Sequence, residues 1–231
     1  EMCIRDRNFT VERLYNVSWS SHPFENTFGL PVVFDVNKDN FLEVIAGTLA
    51  GYVYSIDKDG NLLWKSERFV EDDDDPCPVT GSPAVADINN DGRYEVVTSL
   101  GSLGAVALRD DGSTLWKQLL HPHHHAGPDS TPTITDLEGD GLLESIITHG
   151  IHSIVVLDSM GNIVWTYGMM GDALAFWDTK DSVAVADLNL DHNMEVIVRG
   201  EKAYFETDEN KTKTDWTASI KFSDINGTLY V

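Results

Sequence analysis

The chain alternates short apolar segments with polar turns, and one arrangement of these segments recurs along it. In the clearest copy, an apolar run (PAVADI) leads into an acidic turn and then into a β-branched run (EVVTSL). A third apolar run (AVALRD), an Asp-Gly turn and a final run with a tryptophan (TLWKQ) complete the unit. Short runs rich in valine and threonine, bounded by tight turns, are typical of β-strands. The pattern predicts a unit of four short strands and two tight turns.

This unit occurs four times in register. The copies begin with PVVFDVNKDNFLEVI from Pro31, PAVADINNDGRYEVV from Pro83, PTITDLEGDGLLESI from Pro132 and VAVADLNLDHNMEVI from Val183. The first aspartate of each copy is followed at one constant distance by a tryptophan, at Trp64, Trp116, Trp165 and Trp216. A second constant position, shortly before the tryptophan, is occupied by Gly60, Gly112, Gly161 and, in the fourth copy, Thr212. Constant spacing of this kind indicates a repeat architecture, with the tryptophans packed between units.

Four-stranded units of about fifty residues repeated in series are typical of a β-propeller. We therefore expect an all-β protein with four four-stranded blades, at about residues 28–78, 79–127, 128–178 and 179–218. In the N-terminal segment, residues 1–27, Val17-Ser18-Trp19 resembles the closing strand of a preceding blade. Residues 219–231 are expected to begin a further, truncated strand or blade. We expect the four blades to belong to a larger ring of about seven or eight. The alternatives are a closed four-bladed ring and a β-sandwich.

Each unit carries an acidic loop between its first two strands, with oxygen-bearing side chains at loop positions 1, 3, 5 and 9. Side chains at alternate positions of a tight loop turn towards one centre, and the backbone carbonyl of position 7 can complete the shell. The predicted metal ligands are Asp35, Asn37, Asp39, Phe41 and Glu43; Asp87, Asn89, Asp91, Arg93 and Glu95; Asp136, Glu138, Asp140, Leu142 and Glu144; and Asp187, Asn189, Asp191, Asn193 and Glu195. Coordination by six or more oxygens suits Ca²⁺ better than Mg²⁺ or Zn²⁺.

Electrostatic repulsion within each loop also favours a bound cation. Carboxylates crowded into one turn repel one another unless a cation lies among them. An EF-hand is excluded, because its bidentate glutamate lies at position 12 and helices flank its loop. For any single loop, the alternative is a hairpin with Asx-type hydrogen bonds and no ion.

Composition excludes several classes of partner. The chain has 38 acidic against 16 basic residues and a formal net charge of −22, which argues against nucleic acid as a partner. No apolar run approaches the length of a membrane span, so no direct membrane insertion is predicted. Cys3 and Cys77 are too few for a disulfide framework or a structural zinc site.

The loops resemble a known family. The pattern D-x-[DN]-x-D-G-x-x-[DE] between two apolar strands, repeated in each blade, is similar to the FG-GAP/VCBS repeats of the integrin α-subunit type. The resemblance covers roughly residues 28 to 216 and implies a propeller with Ca²⁺ in the first hairpin of each blade. It also implies an extracellular role in adhesion, recognition or carbohydrate association. The chain departs from the pattern in position 6, where Asn40 and His192 replace glycine, and the FG dipeptide occurs only at Phe28-Gly29. The fourth loop is therefore the weakest predicted site, and Glu138 makes the third unusual.

Two further segments carry candidate chemistry. A histidine-rich segment is a candidate for transition-metal or acidic-ligand binding, although a solvated linker explains it more simply; its residues, with two nearby histidines, are His121, His123, His124, His125, His149 and His152. Residues 71–75 (EDDDD) are expected to form a solvated acidic loop, with a basic partner surface or a cation as the alternative.

These features predict a calcium-binding module for extracellular recognition or adhesion, without catalytic activity. Its ligand would be a protein or a carbohydrate, and the module would be secreted or form the ectodomain of a membrane-anchored protein. The alternative is the propeller domain of a secreted carbohydrate-active enzyme, such as a polysaccharide lyase, or of a quinoprotein-like oxidoreductase. The Asp-Gly turn followed by a closing tryptophan supports this alternative, because it resembles the blade ending of pyrroloquinoline-quinone propellers.

Overall fold

A computed structural model describes most of the repeat region. The described residues are 27, 29–70, 76–120, 130–148, 154–167, 182–187, 190, 194–202, 217–223 and 229–230. The histidine-rich segment with His149 and His152, the acidic run at 71–75 and most of the N-terminal segment lie outside them.

The described residues form four antiparallel sheets, each of four strands that pair in chain order. The first sheet contains β1 Val32–Phe34, β2 Glu43–Gly47, β3 Val53–Ile56 and β4 Leu62–Lys65. The second contains β5 Ala84–Ala86, β6 Glu95–Ser99, β7 Gly104–Arg109 and β8 Thr114–Leu119. The third contains β9 Thr133–Thr135, β10 Glu144–Ile147, β11 Ile154–Leu157 and β12 Ile163–Tyr167. The fourth contains β13 Ala184–Ala186, β14 Glu195–Lys202, β15 Thr217–Ser223 and β16 Leu229–Tyr230. The predicted all-β blade architecture is confirmed.

The hydrophobic core lies between successive sheets rather than inside any one of them. Three buried clusters join the first sheet to the second, the second to the third and the third to the fourth. Exposure along the second strand of each sheet follows from this stacking. Strand β2 alternates between buried and half-buried positions, whereas β6 is buried throughout because a sheet covers each of its faces.

Trp64 and Trp116 each contact the neighbouring sheet through its turn glycine. A Cβ added at Gly112 would lie 2.6 Å from the nearest ring carbon of Trp64, and one at Gly161 would lie 2.6 Å from the ring of Trp116. The Trp116 indole also donates a hydrogen bond to the backbone carbonyl of Ser159, at 3.1 Å. Each of these two tryptophans therefore lies flat against the turn glycine of the next blade, where any side chain would displace it. This contact explains why tryptophan and glycine both recur at fixed positions.

The fourth blade differs from the sequence prediction. Its third and fourth strands are Thr217–Ser223 and Leu229–Tyr230, whereas the sequence placed the end of this blade at residue 218 and a new strand or blade at 219–231. Register shows the reason. The fourth strand begins at the second position after the turn glycine in the first three blades, and Leu229 has the same relation to Gly227. The fourth unit thus keeps the Asp-x-x-Gly sequence that precedes the fourth strand in the first and third blades, at Asp224-Ile-Asn-Gly227. It has extra residues between its second and third strands.

This insertion also changes the assignment of the fourth tryptophan. Trp216 precedes β15 in the sequence and is not part of the closing strand, and the position matching the other closing tryptophans is Val231. The regular spacing of Trp216 from Asp187 is therefore a coincidence. Among the described residues, no helix has the length and apolar character needed to cross a membrane.

Candidate metal-binding loops

The first loop joins β1 to β2 and wraps its backbone around the aspartate at position 1. Asp35 accepts hydrogen bonds from the N–H groups of Asp39 at 3.0 Å and Asn40 at 2.9 Å. Asp39 accepts one from the Phe41 N–H at 2.8 Å, and the Asn37 side chain accepts one from the Asp39 N–H at 2.9 Å. Left-handed backbone at Lys38 (φ 60°) and Asn40 (φ 70°) makes the tight wrap possible. Positions 1, 3 and 5 are thereby held around one centre.

Position 9 of the same loop supplies a buried carboxylate. Glu43 is 1% exposed, and its Oε2 accepts a hydrogen bond from the Val36 N–H at 2.9 Å. Burial raises the pKa of Glu43, and the negative charges of Asp39 and Asp35 raise it further against the opposing effect of the Val36 hydrogen bond. Asp35, Asp39 and Glu43 each have an oxygen within 4.8 Å of the other two. These three carboxylates form a cluster that could hold a metal ion.

The second loop, between β5 and β6, repeats this hydrogen-bond pattern. Asp87 accepts the N–H groups of Asp91 at 3.0 Å and Gly92 at 2.9 Å, and Asp91 accepts that of Arg93 at 2.8 Å. Glu95 is 1% exposed and accepts the N–H of Ile88 at 3.0 Å. Burial raises the pKa of Glu95 to about 7, with smaller contributions from the nearby aspartates. A carboxyl group in this state binds a cation only after it gives up its proton.

The third loop keeps the aspartate wrap but alters position 3. Asp136 accepts the N–H groups of Gly139, Asp140 and Gly141 at 2.6, 3.2 and 2.9 Å. The Gly141 hydrogen bond is the main cause of a lowered pKa at Asp136. Glu138 is exposed and longer than the asparagine that occupies this position in the other three loops.

The buried glutamate recurs in the third and fourth loops. Glu144 is 5% exposed, accepts the Leu137 N–H at 2.7 Å and has a pKa raised by burial. In the fourth loop, Asp187 is half-buried and Glu195 is 4% exposed. The other predicted ligands of this loop, Asn189, Asp191 and Asn193, lie outside the described residues. The structure therefore places a buried glutamate at position 9 in all four loops.

Position 7 contributes its backbone to the wrap. The N–H groups of Phe41, Arg93 and Leu142 each bond to the position-5 aspartate of their own loop. Their predicted use as carbonyl ligands stays a prediction.

One side chain that the sequence did not single out links the first two loops. The Lys38 ammonium donates a hydrogen bond to the Gly92 carbonyl and lies 4.3 Å from the centre of the Tyr94 ring. The lysine of one acidic loop therefore contacts the backbone of the next, which places these loops side by side at one edge of the sheets. Only the packing of the two blades brings these residues together, so no local sequence pattern could have identified the contact.

The chain was compared with known proteins. No family model and no curated protein matches it. Among solved structures, it is similar to BamB from Moraxella catarrhalis, with a TM-score of 0.56 and 15% identity over 89% of this chain and 49% of that one. It is also similar to the Pseudomonas aeruginosa PilY1 C-terminal domain, with a TM-score of 0.55 and 17% identity over 85% of this chain and 48% of that one. Quinohemoprotein alcohol dehydrogenase from Comamonas testosteroni gives a TM-score of 0.55 and 18% identity over 90% of this chain and 35% of that one.

These similarities define the fold. The chain spans about half the length of the BamB and PilY1 chains and about a third of the dehydrogenase. One of the three is named as an enzyme, so the fold does not settle whether this chain is catalytic. At such low sequence identity the agreement concerns architecture only: the chain is an all-β propeller with an acidic hairpin in each blade.

Proposed function

We propose that this chain is part of a calcium-stabilised propeller of the FG-GAP/VCBS type that serves extracellular recognition or adhesion. The observation that supports it is the recurrence of one loop geometry in three separate blades. In each of these loops, a buried glutamate at position 9 accepts the N–H of position 2, and in the first loop its carboxylate converges with those of Asp35 and Asp39. Hairpins that only needed to turn would not require a buried glutamate each time.

The donor set favours calcium over other cations. The loops offer carboxylate and amide oxygens, with backbone carbonyls nearby and no thiolate or imidazole in the described loops. Oxygen ligands in a flexible loop suit Ca²⁺, whereas Mg²⁺ requires near-ideal octahedral geometry and Zn²⁺ prefers nitrogen and sulfur. Calcium bound in these loops would neutralise the charge of the carboxylates and stabilise the conformation of the hairpins. Its role would be structural.

The FG-GAP/VCBS resemblance supports an extracellular role. Extracellular calcium modules bind the ion with dissociation constants on the order of 10⁻⁴–10⁻³ M, and we expect this range for the loops. The acidic composition argues against nucleic acid, so the ligand would be a protein or a carbohydrate.

Calcium-dependent stability tests this proposal directly. The purified chain would be unfolded thermally in chelator, in millimolar Mg²⁺ and in millimolar Ca²⁺. A ligand that binds only the native state must raise the midpoint, so we expect a clear rise with Ca²⁺ and a smaller one with Mg²⁺. Calorimetric titration would then give the number of sites, which we expect to exceed one. Equal midpoints in all three buffers would rule out structural calcium.

The second candidate is a quinoprotein-like enzyme, and the contact of Trp64 with Gly112 favours it. That contact brings together a closing tryptophan and the Asp111-Gly112 turn, the two features that resemble quinoprotein blades. Pyrroloquinoline quinone would be added to the calcium-loaded chain, followed by primary alcohols and an electron-accepting dye. Dye reduction that depends on the quinone would support the enzyme, and its absence would leave the recognition module as the better explanation.

A further inference from the structure

The first blade presents a face whose equivalent in the later blades is covered. In the second and third blades, the turn glycine is covered by the tryptophan of the preceding blade. The equivalent glycine of the first blade, Gly60, has the same left-handed backbone, with φ 88°, but a Cβ added there meets no described atom within 4 Å. A contact made twice in the described blades therefore lacks its described partner at the first.

Two apolar side chains of the first blade are also exposed, at positions whose counterparts in the second blade pack into one cluster with Trp64. Leu42, at loop position 8, is 57% exposed, and Val33 is 55% exposed. Their counterparts in the later blades are half-buried because each packs into the cluster shared with the preceding blade. The counterparts of Leu42 are Tyr94, Leu143 and Met194, and the counterparts of Val33, in the middle of the first strand, are Val85, Ile134 and Val185. The face is thus built for a neighbouring blade.

The N-terminal segment contains a sequence that matches the missing partner. Residues 16–19 read Asn-Val-Ser-Trp, residues 61–64 read Asn-Leu-Leu-Trp and residues 162–165 read Asn-Ile-Val-Trp. In the latter two, the aliphatic residue begins the closing strand, and the tryptophan follows it by two positions. Asparagine, an aliphatic residue and tryptophan at the same spacing place residues 16–19 in register with these closing strands.

We propose that residues 16–19 cover this face, with the Trp19 indole packed against Gly60 and beside Leu42. The connection is long enough, although it is shorter than the one from Trp64 to β5 or from Trp116 to β9. The segment from Trp19 to Val32 spans up to about 43 Å when extended, and crossing a four-stranded sheet requires only about 15 Å at strand spacing. The proposal does not depend on calcium in the loops.

Thiol labelling tests this proposal in the full chain. A cysteine would replace Leu42 in a Cys3→Ser background, in which the remaining native cysteine, Cys77, is buried. The matched control is Met160→Cys, because Met160 is 66% exposed and lies in a turn of the third blade. With Trp19 covering the face, we expect the thiol at position 42 to react at least about tenfold more slowly than that at position 160.

Replacing the tryptophan identifies the cover. Trp19→Ala should remove the protection at position 42, whereas Trp177→Ala, a matched loss of an indole elsewhere, should leave it unchanged. Circular dichroism would verify that both variants fold. Two results would overturn the proposal. One is equal reactivity at positions 42 and 160 in the parent. The other is protection that survives Trp19→Ala, and a rise of that protection with protein concentration would indicate a second copy of the chain on this face.

Discussion

In the first blade, the loop after β1 and the turn after β3 both begin with an aspartate that accepts backbone N–H groups, yet they differ in how many carboxylates share the donors. Asp57 accepts the N–H groups of Asp59 and Asn61 and the Asn61 side-chain amide, at 2.9, 2.8 and 2.9 Å. The Asn61 side chain is the main cause of its lowered pKa. In the loop, Glu43 is buried beside two further carboxylates and has a raised pKa.

The comparison separates two uses of acidic residues in hairpins. A carboxylate with three donors is satisfied by the protein itself, and in the third blade the turn that such an aspartate starts, at Asp158, provides the glycine against which Trp116 packs. Three carboxylates that lie close together, with fewer hydrogen-bond donors for each, favour either a proton or a cation. The presence of acidic residues alone does not distinguish the loop from the turn, whereas the number of hydrogen-bond donors for each carboxylate does. The following experiments test this distinction, from the largest expected effect to the smallest.

Removing a tryptophan should have the largest effect and should not depend on calcium. Trp116 is 8% exposed, packs against Gly161 and bonds to the Ser159 carbonyl. Trp116→Ala should lower the free energy of unfolding by about 3–5 kcal/mol, the usual cost of emptying a large buried site. Urea unfolding in chelator and in Ca²⁺ would measure it. A loss that appears in only one of these buffers would contradict the assignment of this hairpin to packing.

Neutralising one loop carboxylate should destabilise the protein in Ca²⁺ but not in chelator. In Ca²⁺ at about ten times the dissociation constant, Asp39→Asn should cost about 1.4 kcal/mol, the linkage energy of one lost site. In chelator the same change should be neutral or stabilising, because it removes one of three repelling carboxylates. Asp59→Asn, in the turn of the same blade, is the matched control and should be insensitive to calcium. Destabilisation of Asp39→Asn by the same amount in both buffers would refute the cation.

Truncating a turn aspartate should have a moderate effect that ignores calcium. Asp158 accepts the N–H groups of Met160 and Asn162 and the Asn162 side-chain amide. Asp158→Ala should cost about 1 kcal/mol, because exposed hydrogen bonds in a turn contribute little individually. Thermal unfolding with and without Ca²⁺ would give this value. A calcium-dependent loss would mean that the turn also takes part in ion binding.

The pH dependence of stability should have opposite signs for the acidic loop of the second blade and the turn after β3 in the first blade. The folded pKa of Glu95, about 7, is above its ordinary value of 4.5, so the native state holds this proton more tightly than the unfolded chain does. In chelator, this group should therefore lower stability as the pH rises from 4.5 to 7, and Glu95→Gln should flatten that slope. The lowered pKa of Asp57 acts the other way, giving stability above pH 3.8 that is lost as the pH falls.

Denaturant titrations at a series of pH values would resolve both slopes. Saturating Ca²⁺ should abolish the first one, because the ion competes with the proton for the same carboxylate. A slope that persists unchanged in Glu95→Gln would assign it to other groups.

Much of the fold was predictable because its signals are local. The alternation of apolar residues with Asp-rich and Gly-rich turns is contained within each unit, and turn chemistry fixes where a hairpin reverses. The positions of the acidic side chains could be read in the same way, since the wrap of N–H groups around Asp35 and Asp87 involves only residues a few positions away. Burial of Glu43 and Glu95 was not predictable, because it depends on the sheets packed around each loop.

The fourth blade shows where local reading fails. Trp216 follows Asp187 at the same distance as in the other units, and this distance suggested a closing strand where the structure places the third strand instead. The motif Asp224-Ile-Asn-Gly227 was the better signal, because the turn must stand immediately before the strand that it starts. A distance counted across an insertion has no such physical constraint.

By itself, the sequence determined the repeat, the hairpin turns and the acidic loop positions, all of which arise from interactions between residues close in the chain. Only the tertiary structure decided which side chains meet across blades and which strands pair across the insertion: Trp64 with Gly112, Lys38 with Gly92, and β14 with Thr217–Ser223. These partners lie far apart in the sequence, and packing selects them by burying apolar surface between whole sheets. A single unit carries no information about the neighbour that will cover it.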